Sequence, residues 1–367
     1  MRLPFIPDSP RAAILAVFAG FGAAIGSFAG STPQMVAQAG LTNSTWGMAV
    51  TVLAIASVTA MSAGGLLARH FTHRRLLLTL LPLLTAALYA VLTIGTLAGF
   101  FAAIAAFGLV TGALDVIMNA EGGAIEGDLK RPVYTMFHAS VSLSIAVFAL
   151  VSSYLSTRYG TPWTAAVASL ALLAAFVAVH RSVRDRPLPE RKGGRVFIAR
   201  PTRPLVLMGL ATGLVIACEI TALFWSSKLL AETAPALATI SGLGAAFFGL
   251  ANGLVRLPGD RLRARYGEIR LMLVLISVAI VGFAGLGLAD GFAANVIFFG
   301  MTGMGLSILC PCLFAMAGAE TPHNRAAGLS VALMIAGIPR IVAPSLFGLA
   351  ADAVSTGFAF GLCAVVL

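Results

Sequence analysis

A chain of 367 residues that is 59% hydrophobic and only 10% charged lacks the polar surface to cover a water-exposed body; a soluble domain carries about 25% charged residues. Its apolar runs are continuous, which excludes a porin-like barrel of alternating polarity and leaves a polytopic helical membrane protein. The net charge of +10 does not read as a nucleic-acid footprint, because the basic residues cluster between the apolar runs.

Met1–Arg11 is a short lead-in that feeds straight into apolar sequence, and no Ala-x-Ala-like cleavage site precedes the second run, so no cleavable signal peptide is expected. Apolar runs of about 20 residues then follow one another, each long enough to cross a bilayer as a helix. The predicted spans are 12–36, 45–68, 76–96, 98–126, 134–157, 162–181, 204–227, 236–258, 270–288, 291–319, 326–349 and 353–367. The pattern predicts an all-α membrane protein with twelve transmembrane helices in two six-helix bundles. The last run is short, so either the chain is truncated there or the final helix ends early.

With the N-terminus placed in the cytoplasm, every Lys and Arg except Arg158, Lys228 and Arg340 falls on the inner side. That bias requires an even number of spans and puts both termini in the cytoplasm. The longest polar stretch, 184–203, is rich in Arg, Pro and Gly. It divides the chain into bundles 1–183 and 204–367 as a cytoplasmic linker. Its basic residues either touch anionic lipid headgroups or form a solvated tether.

Polar residues inside the spans carry the functional information, because an acid at the bilayer centre costs roughly 2.5–3.5 kcal/mol. In span 1, Gln34 stands beside Pro33 as a candidate polar contact within the membrane. In span 4, Asp115 lies deep in an apolar run that extends from about Leu97 to Ile125. Asn119 is one turn on and shares its face, where it bonds either a solute or Asp115 itself. Glu126 shares that face three turns on, as an inside gate or a headgroup-level charge. Glu121 points elsewhere and can pair with another helix. His138, at the start of span 5, either titrates near neutral pH or bonds span 4. Glu219 and Trp225 lie in span 7; the indole either stacks on a sugar-like ring or belongs to an interfacial belt. Arg340, after Pro339 in span 11, lies at a depth similar to Asp115 and Glu219. Pro339 is expected to open the helix locally. Arg340 attracts a carboxylate or phosphate, or balances one of the acids in a packing ion pair. The glycines of 300–305 serve close packing. Cys218, Cys310, Cys312 and Cys363 sit in apolar runs as small hydrophobes, and no metal or cofactor site is expected.

Two loops echo each other. Gly64-Gly65-Leu-Leu-Ala-Arg69-His-Phe-Thr72-His-Arg74-Arg75 joins spans 2 and 3, and Arg256-Leu-Pro-Gly259-Asp260-Arg261-Leu-Arg-Ala-Arg265-Tyr-Gly267 joins spans 8 and 9. Both put glycine before a short basic turn at the same ordinal position of each half, as expected of duplicated bundles. They resemble the Gly-x-Leu-x-Asp-Arg-x-Gly-Arg-Arg loop of the major facilitator superfamily. The second copy follows the pattern; the first has Arg69 in place of its aspartate and Thr72 in place of its glycine. Leu114-Asp115-Val-Ile-Met-Asn119 resembles span 4 of the fucose permease branch. Thr135-Met-Phe137-His138-Ala-Ser140-Val-Ser142 resembles span 5 of bacterial relatives in that branch, and Cys218-Glu219 through Phe224-Trp225-Ser226 resembles their span 7. Phe224 replaces an aspartate of that pattern, and the span-1 acid expected before Pro33 is missing.

The resemblance implies a bacterial inner-membrane transporter, working as a monomer among membrane lipids, with helices 1, 4, 7 and 10 around a central cavity. The expected activity is secondary transport of a small polar organic solute, sugar-like or an organic acid, by alternating access, with protons as candidate partners. The alternative is a multidrug or metabolite exporter of the same fold. Asp115, Asn119, Glu219, Arg340, Trp225, His138 and Gln34 are the candidate solute or proton residues. Asp260, Arg261, Arg256 and Glu126 are the candidate gates. No Gly-x-x-x-x-Gly-Lys-Ser/Thr loop, catalytic constellation or sizeable soluble domain points to an ATP-driven pump, an enzyme or a receptor.

Overall fold

The computed structural model describes residues 9–130, 133–186, 200–321 and 325–367, without the side chains at 65, 260, 325 and 326. All regular structure among them is helical. The first half holds α1 (Pro10–Gly30), α2 (Thr32–Gln38), α3 (Asn43–Leu67), α4 (His73–Thr93), α5 (Leu97–Leu129), α6 (Tyr134–Arg158) and α7 (Thr161–Ser182). The second holds α8 (Arg203–Thr233), α9 (Leu243–Arg256), α10 (Gly259–Tyr266), α11 (Glu268–Leu288), α12 (Phe292–Leu306), α13 (Leu309–Ala319), α14 (Arg325–Ala353) and α15 (Thr356–Val366). Among the described residues, ten helical spans are long and apolar enough to cross a membrane, and α9 and α15 are shorter apolar helices.

Local chemistry sets many of the helix starts. Ser9, Thr42, Thr72, Thr202 and Ser355 each accept a backbone N–H of the first turn, the standard N-cap bond. Prolines occupy the first positions of α1, α2, α7 and α8, where no N–H is needed. Gly267, at φ 77°, makes the turn from α10 into α11.

The structure corrects several expected spans. The first breaks at Ser31 into α1 and α2. The seventh is longer and runs to Thr233. The eighth begins with a 3-10 turn, Pro235–Ile240, before α9. The tenth breaks between Leu306 and Leu309. Pro339 opens nothing: α14 runs unbroken through Pro339 and Pro344. Its ring instead fills the notch at Gly213 of α8, where a Cβ would lie 2.8 Å from Pro339.

Within the first half α1 packs on α6 and α7, α3 on α5, and α4 on α5 and α7. Within the second, α8 packs on α14, α11 on α12 and α15, and α12 on α9. Gly22 and Gly26 show why small residues line these seams: a Cβ there would sit 2.5 and 2.6 Å from the carbonyls of Val141 and Ile145 on α6. Of the glycines of 300–305, Gly303 acts likewise against Phe248 and Gly305 against Ala279, while Gly300 has room for a Cβ.

The halves meet along two seams, α3 with α14 and α6 with α9. Both close tightly at the end away from the basic loops. There the Asp352 carboxylate accepts the backbone N–H groups of Asn43 and Ser44 at 3.0 and 2.7 Å, capping α3 from the other half. Thr51 donates to the Ile341 carbonyl at 3.0 Å, and Ser153 to the Thr239 carbonyl at 3.1 Å. Phe28 meets Phe224 edge-on at 5.0 Å and Trp46 meets Trp225 at 5.8 Å, so an aromatic cluster plugs this end. At the basic end the first half is tied to itself and to the start of the linker. His73 and Arg186 hold Glu121 at 2.9 and 3.1 Å, Arg186 also holds Asp128 at 2.7 Å, and Arg74 donates to the His180 carbonyl at 3.1 Å. The expected linker 184–203 is described at 184–186 and 200–203; Arg191, Lys192 and Arg195 lie outside the described residues.

Candidate substrate site

Asp115 projects from the middle of α5 beside the seam between the halves. Its Oδ1 accepts from Asn119 Nδ2 at 2.9 Å, and that nitrogen also donates to the Asp115 carbonyl at 2.8 Å. The Asn119 Oδ1 accepts the Tyr134 hydroxyl at 2.6 Å. The amide is thereby oriented, and its bonds hold the carboxylate from one side only. Oδ2 has no partner among the described residues, and the residue is half-buried.

Tyr134 continues the polar path. Its ring lies 4.9 Å from His138, which also meets Phe18 edge-on at 5.4 Å. The expected bond from His138 to span 4 is absent among the described residues; Tyr134, one turn earlier, makes it instead. His138 lines a cavity of about 200 Å³ between the halves, with Ser142 and Ile145 from α6, Glu219 and Leu223 from α8, and Asn252 and Arg256 from α9. Larger cavities of about 350 and 310 Å³ lie among α8, α11, α13, α14 and α15, and their linings are almost wholly apolar. They offer nothing to fix a polar solute.

Glu219 has a different partner from the one expected. Its Oε1 accepts from Arg256 Nη2 at 3.1 Å and from Asn252 Nδ2 at 3.4 Å, not from Arg340. Arg256 also donates through Nε to the Ser307 carbonyl at 2.7 Å. That carbonyl is available because the helix breaks between α12 and α13. Arg256, read as a gate, thus joins three helices of its own half.

Arg340 crosses the seam instead. Its Nη2 reaches Ser57 Oγ on α3 at 3.4 Å and its Nη1 lies 3.8 Å from Met61 Sδ. Asp115 and Arg340 are near enough to feel each other's charge, yet no direct ion pair joins them among the described residues.

Other candidates fall away from this group. Trp225 is fully buried in the aromatic plug, 4.9 Å from Phe347, and takes no part in the cavity lining. Gln34 donates to Thr157 at 2.6 Å and accepts from Ser156 at 3.0 Å, tying α2 to α6. Glu126 accepts the N–H groups of Val133 and Tyr134, both at 2.8 Å, so it caps α6 within its own half rather than gating across the seam. Arg261 is exposed on α10, and the side chain of Asp260 lies outside the described residues. Sequence reasoning missed Tyr134, Asn252 and Ser57. Tyr134 carried a readable signal, standing four residues before His138 on the same helical face.

Two opposed helical bundles around a polar cavity, sealed at one end, define a class: membrane transporters whose solute is reached from one face at a time. Comparison with known proteins supplies the family. The sequence model of the Major Facilitator Superfamily matches residues 12–344, and the chain belongs to that superfamily as a transporter, not an enzyme. An uncharacterized MFS-type transporter of Yersinia pestis is 28% identical over 348 residues, covering 94% of this chain and 90% of that protein. Membrane protein MosC of Rhizobium meliloti is 23% identical, covering 92% and 82%. Among solved structures, a point mutant of the nucleoside transporter NupG superposes with a TM-score of 0.84 at 13% identity, covering 98% of each chain. The D-xylose-proton symporter superposes with a TM-score of 0.73 at 14% identity, covering 97% and 95%. At such identities the structures speak for the fold alone.

Proposed function

We propose that the protein moves a small polar organic solute, sugar-like or an organic acid, across the bacterial inner membrane by alternating access. The observation that carries this reading is the cavity between α6, α8 and α9, to which both halves contribute polar groups. The halves, 1–183 and 204–367, rock about the 184–203 linker. The basic loops face the cytoplasm by the positive-inside rule. The state described is then inward-facing, with the aromatic plug closing the outer end. The polar groups His138, Ser142, Glu219, Asn252 and Arg256 around the cavity favour a hydroxylated solute over a bulky apolar one. The exporter reading draws on the aromatic cluster, which would line the path once the outer end opens.

Asp115 is the proton candidate, because its carboxylate is neither ion-paired nor fully bonded. A thermal-shift screen of purified protein against sugars, organic acids and amines is expected to show stabilisation by members of the first two groups. Stabilisation by apolar cations alone would favour the exporter. With a solute in hand, Asp115→Asn is expected to abolish pH-driven uptake into proteoliposomes while expression persists. Unchanged pH dependence would remove the proton role.

A further inference from the structure

Among the described residues, Arg340 touches no carboxylate. A guanidinium stays protonated at any pH the protein meets. Burying one without an acceptor is costly. Its Nε is buried with no acceptor, and its two terminal nitrogens reach only a serine hydroxyl and a thioether. Both acids that could neutralise it are held off. Glu219 is engaged by Arg256, and Asp115 is bound by Asn119 on its own helix. The fold maintains this spacing. Gly112 of α5, one turn before Asp115, rests directly on the backbone of Ser57, the residue that Arg340 bonds from the other half. Asp115 and Arg340 thus flank one point on α3, close but not in contact.

The charges count evenly. Glu219 cancels Arg256, and an ionised Asp115 cancels Arg340 across the gap. An anion seated on Arg340 would stand beside Asp115, and two like charges sharing a site do not both stay ionised. No other group facing Asp115 relieves the conflict. Asn119 and Tyr134 are neutral, and α3 presents Ser57 and Met61. From α4, His73 is committed to Glu121, nearer the basic end, and the only charge of α1 among the described residues is Arg11, at its start. His138 and Arg256 face the cavity from α6 and α9.

We propose that the solute is a hydroxylated monoanion, a sugar acid or hydroxy acid, whose carboxylate sits on Arg340 and which loads together with one proton on Asp115. The proposal rests on the transporter reading and places the solute at the α3–α14 seam, where Arg340 and Asp115 flank Ser57, beside the cavity lined by His138 and Glu219. The proton comes from water on the loading side, joins the open Oδ2, and leaves to water on the other side with the anion. Loading one anion and one proton leaves the charge of the site unchanged.

Binding to purified protein tests this without knowing the natural solute. The probes are acetate, D-gluconate and D-galacturonate, with acetamide and D-galactose as neutral counterparts. Wild type is expected to bind at least one of the anions, with affinity falling by up to about tenfold per pH unit as Asp115 loses its proton. In weakly buffered solution each bound anion should take up one proton. Asp115→Asn is expected to bind the same anion with no pH slope and no proton uptake. Arg340→Gln is expected to lose anion binding at least about tenfold, the loss of a charge-assisted contact. If Arg340→Gln does not purify, proton uptake by wild type and Asp115→Asn decides alone. Binding of none of the anions, binding without a pH slope in wild type, or full binding by Arg340→Gln overturns the proposal. Saturable D-galactose binding with those outcomes would leave the transporter reading standing and remove only the anion.

Discussion

At the scale of single residues, partner choice distinguishes the two acids near the seam between the halves. Glu219 has its counter-charge in Arg256 at 3.1 Å, whereas Asp115 has an amide. Glu219→Gln leaves Arg256 with a weaker acceptor in a partly dry site, at an expected cost of about 1–3 kcal/mol. Because the two act as a unit, the double variant with Arg256→Gln is expected to be less destabilised than the sum of the single changes. A double-mutant cycle on reversible unfolding in mixed micelles checks this; strict additivity would dissolve the pair. Tyr134→Phe tests the other branch. It frees the Asn119 amide to turn away from Asp115, so solute affinity should fall and its pH dependence should shift while the fold holds. The identity of these partners was only half legible in the sequence. That Asp115, Glu219 and Arg340 are the costly residues followed from apolar context alone. Which base meets which acid depends on how α8 crosses α9 and α14, and no spacing along one helix encodes that. Glu219 and Arg256 stand on different helices, and a third segment, the α12–α13 break, holds Arg256 through the Ser307 carbonyl.

At the scale of elements, the same limit applies to helix ends and breaks. Apolar runs located the spans because the bilayer demands length and hydropathy, and both are local properties. The breaks at Ser31 and at Ser307 go with Pro33 and Pro311, which have no N–H for the carbonyls of Ala29 and Ser307; yet a proline alone does not say where a helix parts, since α14 runs unbroken through Pro339 and Pro344. Glu126 shows how an element's start can be set from outside it. Neither Val133 nor Tyr134 has a local side-chain cap, and the Glu126 carboxylate supplies one from the end of α5. An anion at a helix N-terminus also meets the positive end of the helix dipole. Glu126→Ala is therefore expected to cost about 1–2 kcal/mol of stability, as a lost cap does. Hydrogen exchange should rise first in the opening turn of α6, which brings Tyr134 to Asn119 and precedes His138 at the cavity. A change confined to transport rate, with exchange unaltered, would return Glu126 to the role of a gate.

At the scale of the whole molecule, alternating access requires the α3–α14 seam to part and reform, and two features fix its energy. Gly47 and Gly348 bring backbone onto backbone: a Cβ at either would fall closer to the Pro344 or Asn43 carbonyl than real side chains come. Asp352 then bonds the first N–H groups of α3 across the same seam. The first feature is steric and permits closure or forbids it. The second is electrostatic and partly wet, so it biases an equilibrium. Gly348→Leu is expected to hold the outer end open and stop turnover while solute still binds from that side. Asp352→Ala removes bonds worth about 1–2 kcal/mol, which shifts the closed-to-open ratio by a factor of roughly 5–30 without abolishing either state. Spin labels at the exposed positions Ala37 and Val354, in a background with the four cysteines replaced, read the difference as distance distributions. Wild type should show a dominant short distance, Asp352→Ala a mixture, and Gly348→Leu a single longer distance. An unchanged distribution in Gly348→Leu would mean that the seam does not open there, and the path to Asp115 and Arg340 would have to run between α6 and α9 instead.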